Sequence, residues 1–295
     1  MKHWIQAARL RTLPLSVSGI LVGSSYAFYK GFENNLLFIL AILTTLSLQI
    51  LSNFANDYGD GIKGTDNENR IGPKRAVQSG AISKNAMKKG IFITVLVTLA
   101  LAISLIYVSF GYENLGYSLL FLGLGIAAIV AALKYTIGNS AYGYRGLGDV
   151  FVFVFFGLVS VLGSNFLFTK TFYFWLLVPA VAIGLLSVAV LNLNNMRDIE
   201  NDKNSNKNTI VVKMGFEKAK NYHFFLITAA LLLLYIFGLS LTLRNVVLIL
   251  VGYIMVKHLK FVKEVTQPQT LDPELKKVAL FTFLVSIILS ISMLF

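Results

Sequence analysis

The sequence predicts an all-α integral membrane protein of about nine transmembrane helices, and three observations carry that prediction. Of 295 residues, 56% are hydrophobic and only 14% charged, against about 25% charged in soluble domains. Apolar runs of roughly 20 residues, the length that crosses a bilayer as a helix, recur along the chain. The basic residues gather in alternate connections, as they do in cytoplasmic loops of polytopic proteins.

The first span covers 12–29, with Pro14 at its start and Arg9 and Arg11 before it. A charged segment followed by an apolar one also fits a signal peptide. Eight more spans follow, which favours a retained helix. The second span, 36–53, runs into an Asn-rich tract and a loop to about residue 89 holding seven Lys or Arg. Spans three and four, 91–110 and 116–133, precede a segment with Lys134 and Arg145. Spans five and six, 150–168 and 172–193, lead into a second Asn-rich tract and a basic stretch to residue 221. Spans seven to nine are 222–242, 245–259 and 278–295. The eighth is short before Lys257, whose amine can snorkel to the interface. With a cytoplasmic N-terminus and nine spans, 23 of the 26 basic residues fall on the cytoplasmic side, leaving Lys30, Lys170 and Arg244 outside. Adding or dropping one middle span would scramble that partition.

There is no cysteine, which excludes disulfides, thiolate catalysis and Cys-ligated metals. His3, His223 and His258 are scattered and read as packing or interfacial residues. The net charge of +12 has its source in the cytoplasmic loops rather than in nucleic-acid binding, and nothing points to an obligate protein partner. Gly19, Gly23, Gly123, Gly125 and Gly184 suit close helix packing, or widen a groove for an apolar ligand.

The two tracts carry the chemistry. The first reads NFANDYGDGIKGTD over 53–66 and the second NNMRDIEND over 194–202. They form a weak internal repeat, each following an even-numbered span, as in folds whose two halves meet at a shared site. If the helices continue past the membrane, Asn53 and Asp57 share a face, as do Asn56 and Asp60, and Asn194, Asp198 and Asp202 form a row. Stacked carboxylates repel one another and are costly near hydrocarbon. Mg²⁺ answers both problems, since it takes carboxylate, amide and water oxygens and bridges them to phosphates. Lys63, Arg75, Arg197, Lys203 and Lys213 are candidates to neutralise the remaining phosphate charge. Asp149, in the Gly-rich 142–149 loop, reads as a helix N-cap.

These residues resemble the UbiA superfamily of intramembrane prenyltransferases, which carries two Asp-rich motifs after the second and sixth of nine helices. The likeness is greatest to the branch acting on 1,4-dihydroxy-2-naphthoate. It rests on LQILSNFANDYGDGIKGTDNENRIGPKRAVQSGAIS, on YTIGNSAYGYRGLGDVFVFVFFG at 135–157, and on VLNLNNMRDIENDKNSNKNTIVVKMG at 190–215. Beyond about residue 220 only hydrophobicity matches. Asp66 follows Asp60 by six residues, wider than the spacing of many members, and its role stays open.

The resemblance implies a helical barrel with cytoplasmic cap loops, formed by residues 1–295 as one domain in a bacterial inner (plasma) membrane. It implies Mg²⁺, a polyprenyl diphosphate drawn from the membrane lipid phase, and 1,4-dihydroxy-2-naphthoate as acceptor, prenylated with loss of CO₂. It places metal on Asn53, Asp57, Asp60, Asp198 and Asp202, the four aspartates being catalytic. Substrate binding falls to Asn53, Asn56, Lys63, Arg75, Lys134, Tyr135, Arg145, Asn194, Asn195 and Lys213. Tyr58, Tyr135, Tyr142 or Tyr144 would face an allylic cation. The rival readings are another aromatic acceptor, a cation-coupled transporter, and a CDP-alcohol phosphotransferase. A transporter expects acids at mid-helix, whereas these lie at helix ends. The phosphotransferase signature is absent from the sequence.

Overall fold

The computed structural model describes residues 1–68, 70–238 and 244–294, with backbone alone for 244–251. Helices dominate: α1 (Lys2–Ala8), α2 (Leu13–Tyr29), α3 (Asn35–Lys63), α4 (Lys84–Phe110) and α5 (Leu115–Lys134) come first. The rod α6 (Gly148–Thr169) precedes α7 (Leu177–Arg197), the short α8 (Ile199–Asn204) and α9 (Ile210–Met214), then α10 (Phe216–Gly238), α11 (Arg244–Glu264) and α12 (Asp272–Leu294).

Seven helices among the described residues are long and apolar enough to cross a membrane. The expected first and eighth spans are helical too, as α2 and α11. However, α2 has 17 residues and α11 carries Lys257, Lys260 and Lys263 on its last two turns. Length and composition therefore do not establish the count of nine. The expected seventh and ninth spans end at 239–242 and 295, outside the described residues.

Local chemistry sets the boundaries that matter. The Asn34 side chain caps α3 by accepting from the Leu37 N–H at 3.0 Å, and Gly64, at φ 75°, ends the helix in the left-handed region. Twenty-nine residues span about 44 Å, more than the ~30 Å hydrocarbon layer, so the polar end of α3 projects beyond it. Ser83 caps α4 in the same way, accepting from Ala86 at 3.2 Å.

The core centres on α7, whose Ala180, Ile183, Leu186, Leu193 and Met196 are fully buried. It packs on α6, α10 and α12, while α2 bridges α3, α6 and α12. Small residues bring these backbones together. A Cβ added at Gly157 would lie 2.6 Å from the Ala180 carbonyl oxygen, one at Gly23 2.2 Å from the Val161 carbonyl oxygen, and one at Gly19 1.9 Å from the Ser160 hydroxyl. Gly184 meets Phe153 in the same manner, but Gly123 faces open space and Gly125 has only Ala102 at 3.9 Å.

Between Phe153 and Gly163 the backbone of α6 is a π-helix, wider than an α-helix and common beside functional sites. At the other side of α7, His223 of α10 and His258 of α11 hydrogen-bond through Nε2 at 2.8 Å, and His258 Nδ1 meets Glu274 of α12 at 2.5 Å. Both imidazoles are buried and lie outside the cavity lining described below.

Candidate active site

A cavity of about 400 Å³ opens among α2–α7, with Leu275 of α12 at its edge. Its body is apolar, lined by Ile20, Leu105, Phe121, Phe155 and Leu167 among others. Its polar end holds four carboxylates, Asp60, Asp66, Asp198 and Asp202, and four cations, Arg9, Arg70, Arg75 and Lys207. The two Asn/Asp tracts therefore meet at one site, from the ends of α3 and α7.

Within α3 the two expected rows part company. Asn56 and Asp60 line the cavity. Asp57 does not: its carboxylate accepts the Ala76 N–H at 3.0 Å and the Val77 N–H at 2.9 Å, holding the turn that carries the 64–83 loop. Asn53 reaches the lining, but its amide donates to the Ala8 carbonyl at 2.8 Å and to Thr12 at 3.2 Å, fastening the N-terminal segment.

The second tract keeps its helical ladder through the break at Asp198, since the Asp202 N–H donates to the Asp198 carbonyl at 2.8 Å. Asn194, Asp198, Asn201 and Asp202 line the cavity, whereas Asn195 is buried outside the lining. Arg197, expected as a phosphate partner, is committed instead to Asp198 and Asp272. The Asn201 amide donates to the Thr65 carbonyl at 2.7 Å, tying the second tract to the first loop. Tyr144 reinforces that joint, donating to Asp60 at 2.7 Å and meeting the Thr65 hydroxyl at 2.6 Å. The Lys63 amine lies 3.9 Å from the Tyr144 ring centre.

Three of the four cations lie within 4 Å of these carboxylates. Lys207 Nζ stands 3.5 Å from Asp202 and 4.0 Å from Asp60. Arg70 pairs with Asp66 at 2.8 Å and reaches Asp198 at 3.8 Å, and Arg75 faces Asp66 at 3.7 Å. Burial pushes the Asp202 carboxyl up to about 6, against the opposing pull of Lys207. Burial alone would lower the Lys207 amine, but Asp60 and Asp202 outweigh it and hold the amine well above its ordinary value. At Asp198 burial is likewise outweighed, by the Arg197 hydrogen bonds, and the carboxyl stays below its ordinary range. Tyr135, raised to about 12 by burial, remains a phenol.

Of the aromatic candidates, Tyr135 and Tyr142 line the cavity, with ring centroids 5.3 Å apart. Tyr58 is packed in the core near α4 instead. Lys134, Arg145 and Lys213 are exposed and outside the lining; Lys213 donates to the Arg145 carbonyl at 2.7 Å. Asp149 is not an N-cap. It sits inside the first turn of α6, buried, and accepts from the Tyr222 hydroxyl at 3.1 Å. Sequence reasoning passed over Arg9, Arg70, Asn201 and Lys207 as site residues. For Arg70, Asn201 and Lys207 the signal was weak, a basic or amide residue in or within a few positions of a tract, and Arg9, far from both in sequence, gave none.

The donor set suits a hard cation. Asp202 Oδ2 and Asn201 Oδ1 are buried oxygens without a hydrogen-bond donor, a costly state that a cation relieves. Among the described residues no three His, Cys, Asp or Glu side chains converge on one point. An ion here would complete its shell with substrate oxygens and water, as Mg²⁺ does.

A helical membrane protein with an apolar chamber and a charge-balanced, oxygen-rich end belongs to the class that handles an amphiphilic anion. More particularly, the chain belongs to the UbiA prenyltransferase family, whose model matches residues 16–291. It is 42% identical over 299 residues to the 1,4-dihydroxy-2-naphthoate octaprenyltransferase of Haemophilus influenzae, covering 100% of this chain and 96% of that one. The Escherichia coli K12 protein of the same description is 42% identical over 276 residues, covering 93% and 89%. Among solved structures, an apo UbiA homolog from Aeropyrum pernix K1 superposes with a TM-score of 0.64 at 17% identity, covering 96% and 97%. A UbiA homolog from Archaeoglobus fulgidus bound to DMAPP and Mg²⁺ gives 0.64 at 12%, covering 97% and 98%. These two establish the fold.

Proposed function

We propose that this chain, as one transmembrane domain in a bacterial inner membrane, transfers a polyprenyl group from polyprenyl diphosphate to 1,4-dihydroxy-2-naphthoate. The products are diphosphate, CO₂ and the quinol form of demethylmenaquinone, since prenylation with loss of CO₂ leaves the ring at the hydroquinone level. The observation that carries the reading is the single cavity whose apolar body ends at Asp60, Asp198, Asp202, Arg70 and Lys207. An isoprenoid tail fits the first part and a metal-bound diphosphate the second. The naphthoate acceptor is supported by the relatives above.

Asp60, Asp198 and Asp202, with Asn56, Asn194 and Asn201, would hold Mg²⁺. When bound, the ion supplies Lewis-acid stabilisation of the leaving diphosphate. Arg70, Arg75 and Lys207 bind phosphate oxygens and stabilise the charge that gathers there. The allylic C–O bond breaks with its electron pair going to diphosphate. Tyr135 and Tyr142 present ring faces to the carbocation. The acceptor ring attacks it, forming the C–C bond, and loss of CO₂ returns the ring–carboxylate electron pair to the ring. The apolar walls keep water from the cation. Positive-inside charge supports an orientation with this end in the cytoplasm.

The test is prenylated product from purified protein in detergent given Mg²⁺, a polyprenyl diphosphate and either dihydroxynaphthoate or 4-hydroxybenzoate. Turnover of dihydroxynaphthoate is expected. Turnover of 4-hydroxybenzoate alone would overturn the acceptor assignment.

A further inference from the structure

Arg197 is among the most completely buried large side chains, at 1% exposure, yet it does not line the cavity. It stands behind the second tract and grips it. Nε donates to Asp198 Oδ1 at 3.0 Å and Nη2 to Asp198 Oδ2 at 2.6 Å, a side-on fork that fixes the carboxylate plane. Nη2 also donates to Asn194 Oδ1 at 2.9 Å. On the far side Nη1 donates to Asp272 Oδ1 at 2.5 Å, at the first residue of α12. Gly72 of the first loop rests on the same group, so close that an added Cβ would lie 2.9 Å from Nη2.

From this we infer that Asp272 and Arg197 are a positioning pair for the metal-binding carboxylate, through which the last helix sets how Asp198 faces the cavity. The inference rests on the metal reading above and extends it to α12, where the sequence carries no motif. Two physical effects point the same way. First, the fork occupies one lone pair on each Asp198 oxygen and leaves the outward ones toward the cavity, where Asn194 and Asp198 both appear in the lining. Second, Asp198 and Asp272 share one guanidinium, so the trio keeps a net charge of −1. Without Asp272 the whole Arg197 charge falls on Asp198, the trio becomes neutral, and its attraction for a cation drops. Asp272 is one-third exposed and outside the lining, so it acts through Arg197 and touches no substrate.

The experiment is a Mn²⁺ titration followed by the EPR signal of free ion. It uses purified full-length protein in detergent with an unreactive prenyl thiolodiphosphate. Asp202→Asn tests the metal reading itself: binding equal to wild type would overturn that reading and this inference with it. If Asp202→Asn weakens binding, Asp272→Asn is expected to raise the Mn²⁺ dissociation constant about tenfold, the usual scale for a residue that orients a ligand. Asp272→Glu, which keeps the charge, should restore affinity to within about threefold of wild type. Because the effect travels through Asp198, adding Asp272→Asn to Asp198→Asn should cause no further loss. Wild-type affinity in Asp272→Asn would overturn the pairing while leaving the metal reading intact. So would an undiminished further loss in the double variant, which marks a purely structural role. Arg197→Lys gives a second route, since it keeps the charge and loses the fork, and it too should weaken Mn²⁺ binding.

Discussion

At the scale of single residues, the structure separates groups that spacing alone puts together. Asp57 and Asp60 are three apart in one motif, but Asp57 holds backbone and Asp60 faces the cavity. Asp57→Ala should therefore lower stability by about 2–4 kcal/mol, because two charge-assisted hydrogen bonds to buried N–H groups are lost. The measurement is the apparent Tm in detergent. Lys207→Ala should act on substrate: kcat/KM for the prenyl diphosphate should fall about 10- to 100-fold, the scale of a lost charge-assisted contact. Acceptor KM should be unchanged. Asp202 gives a pH signature. Its folded-state carboxyl lies near 6 against an ordinary 3.8, so the metal-free fold holds a proton that the unfolded chain has released. Its contribution to stability therefore declines as pH rises from about 4 and is fully lost above about 6. Mg²⁺ held at Asp202, as proposed, would remove that penalty, so added MgCl₂ should raise Tm more at about pH 7.5 than at about pH 5. An equal gain at both would argue against Asp202 as the ligand.

Among elements, glycines divide by what stands opposite them. Gly157 meets the backbone of α7 at both Ala180 and Gly184. Gly157→Ala should cost about 1–3 kcal/mol, since neither neighbour is a side chain that can turn aside. Gly123 meets nothing within 4 Å, and Gly123→Ala should raise stability by about 0.5–1 kcal/mol through helix propensity alone. Thermal melts of the two variants should move in opposite directions. The sequence singled out Gly123 for close packing and passed over Gly157, because composition says nothing about which face of a helix meets another. The same limit explains the site. That α3 and α7 extend beyond the membrane as oxygen-rich ends was readable from spacing. Which row faces inward depends on how α3 rolls against the 64–83 loop, a tertiary fact. Arg9 and Lys207 were illegible for a related reason: each comes near its carboxylate partners only once separate elements pack. The π-helical stretch of α6 had no sequence signal at all beyond its small residues.

For the molecule as a whole, hydropathy and charge carried most of the architecture, and the two tracts told where the polar end of the cavity lies. The absence of cysteine makes the orientation directly testable. Ser205→Cys, beside the second tract, should react with an impermeant maleimide only in inside-out vesicles. Thr171→Cys, between α6 and α7, should react only in right-side-out cells. The reverse pattern would place the active site on the outer face.

The paired charges at the cavity's polar end have a consequence for how the protein waits. With Arg70, Arg75 and Lys207 already set against Asp60, Asp66 and Asp202, the polar end carries its own counter-ions, and loading it would resemble ion exchange more than capture. On the proposed reading Lys207 and Arg70 would leave carboxylates for phosphate and the oxygens they free would hold Mg²⁺, so net charge near the hydrocarbon would hardly change. Such an enzyme needs no strong external field to draw its substrate in. Its turnover should be limited by the exchange of partners, with diphosphate leaving as the lysine and arginine return to their acids.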